Sequence, residues 1–331
     1  MSGAGGEAVL ALEVGGARIE AAVMAADGSV LHTAAAETGA ERGPDAVVEN
    51  ILTLAGTLAA RHRPVAAGIA VPGVVDETTG VCVFAAHLGW RDVPVQRWLE
   101  EELGLPVALG HDVRAGGLAE ARLGAGRGCR SFLYVPVGTG IAAAILLDGR
   151  TLRGGHGGAG ELGHLVVRPG GDACRCGNRG CLETVASASA IARRYREAAG
   201  DAVTADQVAL LAREGDPVAA GIWREAVDAL ADGLAAGATL LDPRRIVLGG
   251  ELARTGPALF DPLRAALAQR LTFQTVPEVT AAALGRRAGS LGAGLLALDL
   301  RQARRAPRSP RRRLLAVSGP VRSAAREARS S

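Results

Sequence analysis

The sequence predicts an α/β protein built as two similar lobes, and three observations carry that prediction: its 331-residue length, an internal duplication, and strands that alternate with helices. The length is about twice that of a typical domain, so two separate cores are expected. The duplication lies in Val14-Gly15-Gly16 with IEAAVMAADGSVL after it, which recurs in outline as Val137-Gly138-Thr139-Gly140 with IAAAILLDGRTL after it. Each copy reads as strand, glycine turn, strand and Asp-Gly turn, and the Asp-Gly pairs at 27–28 and 148–149 predict tight hairpin reversals. Hydrophobic periodicity then predicts helices over 44–62 and 95–103 and strands over 65–71 and 107–110. Further helices follow over 187–199, 204–213 and 216–240, before a strand from Arg245 to Leu248 and a Gly249-Gly250 turn.

Composition narrows the class. Apolar residues make up 48% of the chain and aromatics only 3%, so the cores must be built mainly from Ala, Val, Leu and Ile. No apolar run approaches the ~20 residues of a membrane span, and the opening MSGAGGEAVLALEV has no basic stretch of a secretion signal, so a cytoplasmic protein with no membrane partner is expected. All 37 basic residues are Arg. A catalytic lysine is thereby excluded, and with it a Walker-type phosphate loop. Arg301 to Ser331 hold ten Arg and one acid, Glu327, which is +9; the total of +3 then leaves −6 for residues 1–300. This Arg- and Pro-rich tail over 301–331 shows no apolar period and reads as disordered. Clustered Arg can neutralise phosphates, which keeps nucleic acid open as a partner of the tail, although a terminus of biased composition is the plainer reading.

The glycine turns carry the first chemistry. Successive backbone N–H groups in such turns bind anions without any side chain, and two of them facing one cleft would hold a polyphosphate. A chain with 46 Gly also produces such turns by chance.

The sharpest local pattern is His164 followed by Cys174-Arg-Cys176-Gly-Asn-Arg-Gly-Cys181. Three cysteines fall within eight residues, Gly177 and Gly180 permit tight turns between them, and the histidine completes a Cys3His set suited to tetrahedral Zn²⁺. Disulfides are disfavoured in the cytosol, and three cysteines cannot pair completely. Four protein ligands leave no open position for water, so the zinc is expected to be structural, pinning the loop that carries Glu161, His164 and Glu183. Cys82 and Cys129 stand apart and read as buried small residues.

With Glu161-Leu-Gly163-His164, Cys174-x-Cys176-Gly-x2-Gly-Cys181-Leu-Glu183, Val71-Pro72-Gly73 and His111-Asp112-Val-Arg-Ala in view, the chain resembles the ROK group (repressors, open reading frames, kinases) from about residue 9 to 300. The resemblance implies a two-lobed actin-like, sugar-kinase (ribonuclease H-like) fold with a structural zinc loop. Residues 1–121 would form a small N-terminal lobe joined by a returning helix over 288–300, and 122–287 a large lobe carrying the zinc loop. It also implies ATP-dependent phosphorylation of a hexose, with glucose the first expectation and Mg²⁺ arriving with ATP. Asp112 would take the proton from the sugar hydroxyl; Gly73, His111, Glu161, His164 and Glu183 would surround the sugar, with His164 ligating zinc through its other ring nitrogen. Gly15, Gly16, Gly138, Thr139 and Gly140 would cradle the phosphates, Gly249 and Gly250 would lie near the adenosine, and a homodimer or homotetramer is implied.

A sugar hydroxyl is a poor nucleophile, so a carboxylate within hydrogen-bond reach is what the transfer of the γ-phosphoryl needs. Asp112 opens the helix VRAGGLAEARL, so it also reads as a simple N-cap. Three motifs depart from the group's pattern: Glu13 and Ala17 stand where Asp and Thr are usual, His111 where Asn usually precedes the Asp, and His87 where Asn often precedes Leu-Gly-Trp. The first bears on phosphate and magnesium handling, the others on which sugar fits. Kinases for mannose, fructose, N-acetylglucosamine or N-acetylmannosamine, or a sugar-binding protein with weakened catalysis, are the competing expectations. A repressor is disfavoured because only eight residues precede Val9.

Overall fold

The computed structural model describes residues 7–305. The chain runs β1 (Val9–Val14), β2 (Arg18–Met24), β3 (Val30–Glu37), α1 (Pro44–His62), β4 (Ala67–Val71), β5 (Val74–Asp76), β6 (Val81–Ala85), β7 (Trp90–Val93), α2 (Val95–Leu103), β8 (Val107–His111) and α3 (Asp112–Leu123). It continues through β9 (Phe132–Pro136), β10 (Ala144–Leu147), β11 (Arg150–Thr151), α4 (Leu182–Ala186), α5 (Ala188–Ala199), α6 (Ala205–Glu214), α7 (Pro217–Leu241), β12 (Arg245–Gly249), α8 (Pro257–Arg270), β13 (Glu278–Ala281) and α9 (Ala288–Arg305).

The duplication in the sequence is a duplication of topology. One sheet has the order β3-β2-β1-β4-β8 and the other β11-β10-β9-β12-β13. In each, an antiparallel meander is followed by two parallel strands. Strands β1 and β4 are buried along nearly their whole length, as expected for a sheet covered on both faces. Helices α1 and α2 cover one face of the first sheet with Val47, Ile51, Val95 and Leu99. The second lobe places α4 to α8 over its own sheet around Ile191, Trp223, Leu230 and Leu263.

The helix that ends each lobe packs on the other. Helix α3 follows β8 of the first sheet but packs against β9 and β10 of the second, while α9 follows the second sheet and packs against β1, β4 and β8 of the first. The two helices cross each other closely: a Cβ on Gly292 would lie 2.0 Å from the carbonyl oxygen of Ala115, so only glycine permits this approach. Arg122 and Asp299 close the crossing with two bonds of 2.7 Å. Glu120, fully buried, accepts from the N–H groups of Ala125, Ala283 and Leu284 and so ties α3 to the segment leading into α9.

Two local expectations need correction. The Asp-Gly pair at 148–149 makes a two-residue reversal with both residues at positive φ, but the pair at 27–28 sits in a longer loop between Met24 and Val30, because the β2–β3 register slips at Val23/Met24. The returning helix runs on to Arg305, so residues 301–305 of the expected disordered tail are helical, with Arg301 and Arg305 paired to Glu7. The rest of that tail, 306–331, lies outside the described residues. Among the described residues no helix is long and apolar enough to cross a membrane.

Candidate active site

A cavity of about 780 Å³ opens between the lobes and is lined by both glycine turns, through Gly15 and Gly16 on one side and Thr139 and Gly140 on the other. Pro72, His87, Asp112 and Glu183 also line it. The first turn is held by Gly15 N–H donating to Arg18 O (2.8 Å) and by the hydroxyl of fully buried Thr38 donating to Gly15 O (2.7 Å). The second is held by Gly138 N–H on Gly140 O (3.0 Å) and by Ala188 N–H, at the start of α5, on Gly138 O (2.8 Å). Gly249 and Gly250 do not line the cavity. They are laced to the base of the second turn, where Val137 N–H donates to Gly249 O and a Cβ on Gly250 would fall 2.4 Å from Val137 O.

Asp112 stands where β8 meets α3. The N-cap is His111, whose Nδ1 accepts the Arg114 N–H at 3.4 Å, and Asp112 is the first helical residue, with Oδ1 accepting its neighbour Val113 N–H at 2.6 Å. The capping role considered for Asp112 thus belongs to His111. The Asp112 side chain keeps 27% of its surface toward the cleft. Burial nonetheless pushes its carboxyl up to about 6, against the pull of the Val113 N–H and of Arg114. Burial, and then Arg114, push His111 down to about 4, so its ring is neutral at pH 7 and, with Nδ1 accepting, carries its proton on Nε2.

Glu13, at the end of β1, is a second partly buried carboxyl here. Burial first, and then Asp112, push it up to about 8; Ser290 N–H and Arg286 oppose this, and Glu20 adds to it. Its Oε1 packs against the first turn of α9, where a Cβ on Gly289 would lie 2.1 Å away, and its Oε2 is buried without a hydrogen-bond partner. The departure at position 13 therefore has a structural consequence: the carboxyl rests on α9.

The cysteine cluster assembles as its spacing predicts. One ligand atom from each of His164, Cys174, Cys176 and Cys181 lies within 4.8 Å of all the others. Cys174 Sγ is 3.6 Å from His164 Nδ1 and Cys176 Sγ is 3.6 Å from Cys181 Sγ, close to the ~3.5–3.8 Å edges of a tetrahedron with Zn–N and Zn–S bonds of ordinary length. The donor set and these edges fit Zn²⁺. Gly180 is required, since a Cβ there would overlap Arg168 O, and Arg168 in turn holds Asp232 of α7 at 2.7 Å. Glu183 links the cluster to the cleft: Oε1 is 3.4 Å from Cys174 Sγ, while Oε2 faces Gly140. His164 Nε2 points the other way, 3.9 Å from Glu161 Oε2.

The sequence profile of the ROK family matches residues 9–300. The chain belongs to the ROK family. A glucokinase of Thermotoga maritima is 34% identical over 302 residues, covering 86% of this chain and 95% of its own. The ROK hexokinase of Thermus thermophilus superposes with a TM-score of 0.79 at 37% identity, covering 89% of this chain and 99% of that one. A ROK glucokinase of Streptomyces griseus, solved with glucose and AMPPNP, gives 0.79 at 31% identity over 88% and 99%. The fold is thus the two-lobed ROK sugar-kinase fold.

Within that ROK framework the remaining expected residues fall in three places. Glu161 and His164 are half-exposed on the loop leading into the cysteine cluster rather than on the cavity wall, and Glu161 acts electrostatically on His111 of the facing lobe. Gly73 has φ +94 and packs against Phe84 O, leaving Pro72 to face the cavity, so its backbone alone accounts for glycine. His87 lines the cavity. Sequence reasoning missed Thr38, Glu120 and the pair Asp172–Arg193, joined at 2.6 Å on the cavity wall. Cys129, expected buried, is half-exposed with its thiol donating to Ser131 O.

Proposed function

We propose that this protein, an ATP-dependent hexokinase-type phosphotransferase, transfers the γ-phosphoryl of ATP to the 6-hydroxyl of glucose with Asp112 as general base. The observation that carries the reading is the placement of Asp112 on the wall of a cleft that both glycine turns share. The relatives named above as glucokinases, matched over nearly their full length, support glucose as the sugar.

In this reading MgATP enters as substrate, with its phosphates against Gly15-Gly16 and Gly138-Thr139-Gly140 and its adenosine toward Gly249-Gly250. Glucose sits between Asp112, the loop of Glu161 and His164, and Glu183 of α4, next to neutral His111. Asp112 accepts the hydroxyl proton as the phosphoryl passes in line; with its carboxyl near 6, most of it is ionised and ready at pH 7.5. A Zn²⁺ held by His164, Cys174, Cys176 and Cys181 would fix the sugar loop and, with four protein ligands, take no part in the chemistry. A homodimer or homotetramer is part of the proposal; light scattering that finds a 33.6 kDa particle opposes it.

The experiment is ADP formation by purified protein with ATP and each of glucose, mannose, fructose, N-acetylglucosamine and N-acetylmannosamine. Highest kcat/KM with glucose is expected. A different best sugar overturns the glucose assignment, and no ADP with any hexose overturns the kinase reading in favour of a sugar-binding protein weakened at Glu13 and Ala17.

A further inference from the structure

Arg114, in the first turn of α3, is an unusual place for a charge. Its side chain is 4% exposed, and it reaches two partners on different lobes. Nε donates to Glu77 Oε1 at 3.1 Å, just after β5 of the small lobe, and Nη1 donates to Gly157 O at 2.9 Å in the large lobe. Glu77, itself 9% exposed, takes a second cation from the large lobe, Arg153 Nε on Oε2 at 2.6 Å. The backbones meet closely at this point, since a Cβ on Gly157 would lie 2.9 Å from Val75 O. Nη2 of Arg114 is buried with no partner.

Two consequences follow from position. Arg153 and Gly157 open the loop that continues to Glu161 and His164, so Glu77 and Arg114 grip the beginning of the segment assigned to the sugar. Arg114 is also two residues from Asp112 and favours its ionised form. The other groups that act on Asp112 or border it are His111 of β8, whose Nδ1 is 3.3 Å from Oδ1, Glu13 of β1 and Tyr134 of β9.

We infer that Arg114 is a positioning residue: with Glu77 and Arg153 it latches the large-lobe loop 153–161 onto the small lobe at the sugar side of the cleft. That this side of the cleft takes the sugar rests on the proposed function; the latch stands without it. Buried ion pairs of this kind leave a charge uncompensated when one partner is removed, so the latch should act as a unit.

The test uses full-length Arg114→Gln and Arg153→Gln, the latter at a site 55% exposed and safe for folding. Amide exchange of 153–161 reads the latch without any activity; it should quicken about three- to tenfold in Arg153→Gln, as expected for the loss of one hydrogen bond of about 1 kcal/mol, and by at least as much in Arg114→Gln, which loses two. KM for glucose should rise by a similar factor. Unchanged exchange in Arg153→Gln overturns the latch. A KM for glucose that stays in place, or a loss confined to kcat, overturns the positioning role. Wild-type protein that turns over no hexose refutes the proposed function, while the exchange result still decides the latch.

Discussion

Replacing Glu13 with Gln should remove a pH-dependent cost that the native fold carries. The folded carboxyl is pushed from 4.5 to about 8, chiefly by burial and then by Asp112, so between those values the folded state holds a proton that the unfolded chain has released. The folded state therefore binds more protons, and stability falls as pH rises through the window. One proton corresponds to at most ~1.4 kcal/mol per pH unit, so the wild type should lose about 2 kcal/mol from this residue between pH 6 and pH 7.5. Gln has the same shape and no titration. Urea unfolding at the two pH values should show Glu13→Gln gaining about 2 kcal/mol on the wild type over the interval. Because Gln imitates the protonated acid, the acid limb of kcat/KM should stay in place. Stability curves that run parallel would refute the reasoning: Glu13 would then be ionised in the fold, paired by Arg286 or a cation.

Cys176→Ser should reduce bound zinc below one per chain and lower the melting temperature by roughly 5–10 °C, read by metal analysis and calorimetry, since metal binding at such a site is folding energy. Ala17→Thr should raise kcat about tenfold by adding a hydroxyl donor at the exposed edge of the first glycine turn; an unchanged kcat means the phosphate oxygen is already served by another donor. The pH profile of kcat/KM for the wild type should rise through about pH 6, the value at which Asp112 becomes a base; a limb near pH 4 would mean that the carboxyl is not desolvated in the free enzyme.

What the sequence disclosed about this fold was local. Helices α1, α2 and α7 and strands β4, β8 and β12 stand within a residue or two of where periodicity predicts them, and the cysteine cluster is legible because its ligands come from a short stretch with glycines at the turns. What stayed hidden depends on distant partners. Glu120 looks like a solvated helix acid until Ala283 and Leu284, more than 160 residues away, donate to it. Thr38 gains its meaning only when β3 brings its hydroxyl to Gly15. Arg114 has the sequence signature of any surface cation, and its burial follows from the crossing of α3 between lobes. Asp112 was ambiguous for a different reason: an acid at a helix start satisfies capping rules, and only the His111 ring, already bonded to the Arg114 N–H, frees it from that task.

The central claim is that Asp112 accepts the sugar proton, and the most direct measurement is glucose-dependent ADP formation by Asp112→Asn alongside its glucose affinity and zinc content. Loss of the general base should lower kcat by about 10²- to 10⁴-fold, with glucose binding and bound zinc close to those of the wild type. Turnover near the wild-type rate would contradict the account and remove Asp112 from the mechanism.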